Sequence, residues 1–162
     1  MSQMLRMVLA SQSPRRFDLL SEAGFDFRVE PVKGSEIIDE NLTLEAAVLD
    51  LARTKSIAAR QQSKYAKQKG YLILTADTMV AIEGSPLGKP QNIAEAKQFL
   101  TLLSGKTHCV MTGVYLVDTD LGREASHLEV SQVTFRGLSM GEIDAYIATG
   151  EPLVYRLRHT DA

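Results

Sequence analysis

The chain has 162 residues, 44% of them hydrophobic and 23% charged, with a formal net charge of -2 at pH 7. Those values suit one globular domain with its own buried core and exclude the basic field of a protein that coats long nucleic acid or an anionic membrane. The single cysteine, Cys109, allows no disulfide within these residues and fits a reducing compartment.

MLRMVLA (4–10) reads as a first strand, too apolar for a surface edge and too short for a signal-peptide core. Ser13 suits a helix N-cap and Pro14 the first helical position, ahead of RRFDLLSEAG (15–24), which Gly24 closes. FDFRVEPV (25–32) alternates Phe25, Phe27 and Val29 on one face, as a second strand would. KGSEIIDENL (33–42) is a polar connection. Thr43 caps a long predicted helix over 44–68, whose apolar face runs Leu44, Val48, Leu51 and then Lys55. YLILTADTMVAI (71–82) is strongly apolar but interrupted by Thr75, Asp77 and Thr78, and GSPLGKP (84–90) reads as a loop. Asn92 with Glu95, and Ser139 with Glu142, resemble capping boxes ahead of helices over 94–105 and 140–150. Between them, 108–118 and 127–138 are predicted to form an antiparallel strand pair. The alternation of strands and helices predicts an α/β fold, and no segment approaches transmembrane length. The expectation is a soluble cytoplasmic protein with no membrane or nucleic-acid polymer as partner.

Several residues sit where packing alone does not place them. In SQSPRR (11–16), a Ser-rich turn enters a helix whose start carries Arg15 and Arg16, where acids are normally favoured. Such a turn either opens an ordinary helix with two solvated arginines or cradles an anion on backbone N–H groups, hydroxyls and guanidinium groups. Asp77 has apolar neighbours on both sides. It either bonds backbone at a strand kink or sits at a strand end facing a metal, a cation or a cleft. Lys55 either snorkels from its apolar face or reaches a polar cleft, and Lys89 is either a solvated loop lysine or a cation held by Gly88 and Pro90. With Glu40 added, the set comprises two carboxylate sites and four cations, the inventory for a metal-bound polyphosphate. His108, His127 and His159 lack zinc-ligand spacing, and neither GxxxxGK[ST] nor GxGxxG occurs.

In order and spacing, LASQSPRR (9–16), Asp39-Glu40, LARTKS (51–56), TADTMV (75–80), LGKP (87–90), LSGKTHCVMTGV (103–114), VTFRGLS (133–139) and GEPL (150–153) resemble the Maf family of nucleoside triphosphate pyrophosphatases. The resemblance implies an elongated, mixed-sheet, ITPase-like α/β fold with a central substrate cleft. It implies hydrolysis of a nucleoside triphosphate to the monophosphate and pyrophosphate with a divalent cation (Mg, Mn or Co). By match, Asp77 is the base that activates water and, with Glu40, a metal ligand. Arg15, Arg16, Lys55 and Lys89 become phosphate clamps, and Ser11 and Ser13 line the substrate turn. Arg15 and Thr78 match positions that influence base choice. No aromatic residue separates Pro14 from Arg15, as in the branch acting on dTTP and UTP. A homodimer is the implied assembly.

The resemblance covers a single domain over 1–153 and stops at Leu153. Family members continue with a stretch like DKAGGYGIQG, whereas residues 154–162 here read VYRLRHTDA. Arg156–Asp161 can be encoded so that reading one base later gives Gly-Tyr-Gly-Ile-Gln, which leads to the expectation of a truncated or frameshifted C-terminus. Two rival functions follow: a catalytically impaired nucleotide-binding protein involved in division or septum control, and a sugar-phosphate or phosphomonoester hydrolase using the same cations.

Overall fold

The computed structural model describes residues 5–150. The readings for 151–153 of GEPL and for the 154–162 tail lie outside them. In chain order the elements are β1 (Arg6–Leu9), α1 (Pro14–Glu22), β2 (Phe27–Val29), α2 (Leu44–Gln62), β3 (Tyr71–Ile82), β4 (Ser85–Leu87), α3 (Ile93–Leu103), β5 (Thr107–Asp118), β6 (Glu124–Thr134) and α4 (Met140–Ala148). The described strands form one mixed sheet in the order β2-β1-β3-β5-β6, with β4 paired to β3. β1 runs parallel to both β2 and β3, and β4 runs antiparallel to β3. The backbone bonds Asp118 N to Arg123 O and Phe135 N to Lys106 O, at 2.9 and 3.0 Å, mark β5 and β6 as the expected antiparallel pair. The α/β class read from the sequence is the one observed. Among the described residues no helix is long and apolar enough to cross a membrane.

The contacts separate two compact units: residues up to Thr78 with Thr112–Glu129, and Met79–Met111 with the residues from Val130 onward. In the first, Ala10, Val32, Ala59 and Ile73 form a buried cluster, while Val8, Leu9 and Val48 are fully buried. Here α2 lies at backbone contact on β5. A Cβ added to Gly113 would stand 2.8 Å from the Val48 carbonyl oxygen and 3.2 Å from the Leu49 Cα, so only glycine allows this approach. In the second unit Ile82, Leu100, Leu103 and Ile143 pack with Phe99, Phe135 and Tyr146. Full burial of Leu103 and Ile143 contributes roughly 1.5–3 kcal/mol each.

Four local readings are corrected. α2 ends at Gln62, not Gln68, because buried Ser63 turns extended and donates its hydroxyl to the Glu30 carboxylate. The second strand shrinks to Phe27–Val29, with Phe25 and Val29 about half exposed, because β2 lies at the sheet edge. Part of the expected loop forms β4, since Glu83 (φ 51°) and Gly84 (φ 78°) supply the left-handed turn of a tight hairpin with β3. The Asn92 side chain accepts from Glu95 N at 2.8 Å, but the Glu95 carboxylate accepts from Gln91 N instead of closing a box.

Candidate active site

The start of α1 is built around the Ser11 hydroxyl. Ser11 lies in the turn between β1 and α1, 8% exposed, and its Oγ accepts from Ser13 N at 3.2 Å and Arg16 Nη1 at 2.9 Å. Ser13 holds the N-cap position by backbone only. Its side chain makes no capping bond, and the first turn contains no acid. The Ser13 hydroxyl therefore does not serve the capping role expected of it. Arg16 Nη2 also donates to Thr78 Oγ1 on β3 at 3.2 Å, and Thr78 Oγ1 lies 3.0 Å from Thr112 Oγ1 on β5. Ser11, Arg16, Thr78 and Thr112 thus form one hydrogen-bonded chain across the first unit, while Arg15 stays exposed. Thr112 lies within LSGKTHCVMTGV, where the sequence alone assigns it no role. The available signal was a hydroxyl inside an apolar strand.

On β3 the residue before Thr78 carries the charge. Asp77 lies mid-strand and 1% exposed, not at a strand end. The strand continues past it because a cation arrives from another element: Lys55 Nζ of α2 stands 2.7 Å from Asp77 Oδ2. Burying a carboxylate costs several kcal/mol, and an opposite charge at contact distance offsets that cost. Register delivers the pair. Thr75, two residues earlier on the same strand face, donates its hydroxyl to the Ala52 carbonyl at 2.9 Å, and Lys55 follows one helical turn after Ala52. The Lys55 side chain is 17% exposed, and its head lies on the buried carboxylate. A second carboxylate, Glu36, stands 3.7 Å from the same Nζ and is largely exposed. The sequence alone does not distinguish Glu36 from the other acids of this polar connection.

Of that pair, Asp39 accepts from Asn41 N and Nδ2, both at 2.9 Å, which forms a small turn and leaves Glu40 exposed. Lys89 belongs to the second unit, where it is exposed and its carbonyl accepts from Gln91 Nε2 at 3.0 Å. Among the described residues no three His, Cys, Asp or Glu side chains converge as a ready-made metal cage. The donors present are carboxylate oxygens beside cations. That chemistry suits a hard cation shared between one or two carboxylates and a ligand's phosphates.

A Maf-like protein family model matches residues 6–155. The chain is 49% identical to a dTTP/UTP pyrophosphatase of Bdellovibrio bacteriovorus, over 91% of this chain and 77% of that protein. It is 43% identical to one of Bacillus pumilus, over 93% and 76%, and 42% identical to one of Moorella thermoacetica, over 93% and 75%. In backbone it resembles the Ham1 protein of Staphylococcus aureus (TM-score 0.51, 14% identity, 80% of this chain and 71% of that one), a likeness of fold alone. The matched span takes in the arginine-bearing turn and the lysine-held aspartate together, and with that agreement of sequence the chain belongs to the Maf-like family.

Proposed function

We propose that this chain is a nucleoside triphosphate pyrophosphatase that hydrolyses dTTP and UTP to the monophosphate and pyrophosphate. The observation that carries the reading is the pairing of a buried aspartate–lysine contact on β3 with an α1 start whose cap hydroxyl is unused and whose cations are arginines. Asp77 and Thr78, consecutive on β3, carry the two contacts, to Lys55 and to Arg16.

In this reading the backbone and arginines at the start of α1 bind the phosphates. Asp77 takes a proton from the attacking water as a bond forms to phosphorus, and the anhydride bridge breaks with its electron pair leaving on the pyrophosphate oxygen. Lys55 balances the carboxylate's charge before substrate arrives and meets phosphate charge afterwards. A divalent cation held by Asp77 and Glu40 with phosphate oxygens would lower the pKa of a water and neutralise developing charge. Arg15 and Thr78 face the choice of base, and Lys89 carries its phosphate role from the LGKP motif alone. A cytoplasmic homodimer acting on free nucleotides completes the reading.

The test is incubation of the purified protein with dTTP, UTP, CTP and 7-methyl-GTP plus Mg²⁺ or Mn²⁺, with pyrophosphate and orthophosphate measured separately beside an Asp77→Asn control. Pyrophosphate from dTTP and UTP, lost in the control, is the expected result. Orthophosphate as the product, or release that survives Asp77→Asn, overturns it.

A further inference from the structure

Gly34 lies in the connection between β2 and α2, outside every motif that carries the family resemblance. Its φ is not left-handed, so backbone conformation does not demand glycine there. Space does. A Cβ at this position would stand 2.7 Å from Lys55 Cγ, 3.3 Å from Lys55 Cα and 3.5 Å from Lys55 Cβ. The atom it would strike is the stem of the lysine whose head meets Asp77 at 2.7 Å. Nor is the connection free to retreat. Glu30 accepts from the Ser63 hydroxyl and from Lys64 N, Val32 is buried in the cluster with Ala59, and the Lys33 carbonyl accepts from Gln62 Nε2 at 3.0 Å. Two residues beyond Gly34, the Glu36 carboxylate stands 3.7 Å from Lys55 Nζ. The segment 32–36 therefore crosses the whole length of the Lys55 side chain, pinned before it and charged at its tip.

We propose that Gly34 is a positioning residue: its missing side chain is the gap through which the Lys55 stem runs to Asp77. The catalytic half of this inference rests on the proposed pyrophosphatase reading. The steric half does not. Any larger residue at 34 pushes Cγ away and moves Nζ off the carboxylate, and a displacement near 1 Å in a reacting site costs about a hundredfold in rate.

The test is a double-mutant cycle on the full chain with Gly34→Ala and Lys55→Ala, read by thermal unfolding, together with kcat and KM on dTTP. In the Lys55→Ala background Cγ is gone, so Gly34→Ala is expected to lower Tm in the parent chain and to lower it far less with Lys55→Ala. Because Lys55→Ala alone leaves the Asp77 carboxylate buried without its cation, a Gly34→Ala chain that fails to fold must fold when combined with Lys55→Ala and Asp77→Asn together. On dTTP, Gly34→Ala is expected to lower kcat at least tenfold, while Gly137→Ala, whose added Cβ meets nothing within 4 Å, leaves it unchanged. An equal Tm loss in both backgrounds, or unchanged kcat with Gly34→Ala, overturns the proposal. A parent chain without hydrolysis overturns the pyrophosphatase reading instead, and the unfolding cycle still decides the steric claim.

Discussion

Helices α4 and α1 both begin at a serine, and the two starts are built to opposite ends. At α4 the Ser139 hydroxyl accepts from Glu142 N at 3.2 Å and the Glu142 carboxylate accepts from Ser139 N at 2.9 Å, a closed capping box. Arg136 adds a 2.6 Å bond to the same carboxylate. At α1 the Ser13 hydroxyl caps nothing, the first turn holds no acid, and arginines occupy positions 15 and 16. Thr43 and Asn92 cap α2 and α3 through their side chains, so α1 is the exception among the described helices. A helix that answers its own first-turn donors has spent them on folding; on the reading proposed above, the start of α1 serves binding instead.

Substitutions at the two starts separate these uses. Arg15→Ala removes from the proposed phosphate clamp charge-assisted bonds worth about 1.5–3 kcal/mol, so kcat/KM on dTTP should fall by about 10- to 150-fold, with little change in Tm because the Arg15 side chain is exposed. Steady-state kinetics beside a melting curve checks both halves. Ser139→Ala should do the reverse, costing about 1 kcal/mol, roughly 2–4 °C in Tm, with hydrolysis unchanged. The Glu142 carboxyl is held down to about 2, first by Arg136 and then by Ser139 N. Because its folded pKa lies below the unfolded value, its stabilisation is present above about pH 4.5 and disappears as pH falls toward 2. Melting curves of Glu142→Gln and the parent chain should therefore differ at neutral pH and converge toward pH 2. The smallest effect is Ser13→Ala, which should shift Tm by less than the usual cost of losing a cap; a loss near 1 kcal/mol would mean that α1 is capped like the others.

The side-chain caps of α2, α3 and α4 and most of the order of elements were legible because they depend on residues within a few positions of one another. Thr43 and Ser139 announce their helices locally, and Gly24 and Gly105 their ends. Asp77 shows where local reading stops. Its apolar neighbours said strand and its charge said strand end, and the conflict resolves only through Lys55, which the sequence places on a different element. The same holds for the site's supporting residues. Thr112 matters because β5 lies beside β3, and Gly34 because a polar connection crosses a lysine stem, neither of which periodicity encodes. The chemistry of Arg16 and Asp77 could be suspected from residue type; the hydroxyl chain from Arg16 through Thr78 to Thr112 needed the sheet order.

The closeness of α2 to β5 also bears on engineering. Replacing glycine by alanine where the backbone permits it stiffens the unfolded chain and stabilises a protein by about 0.4–1 kcal/mol. Gly113 has no left-handed φ, so a stabilisation campaign guided by backbone angles alone would select it. The Val48 carbonyl 2.8 Å from the added methyl turns that choice into a loss. Gly137, equally ordinary in φ and with nothing within 4 Å of an added Cβ, is a position where the same substitution should gain thermal tolerance.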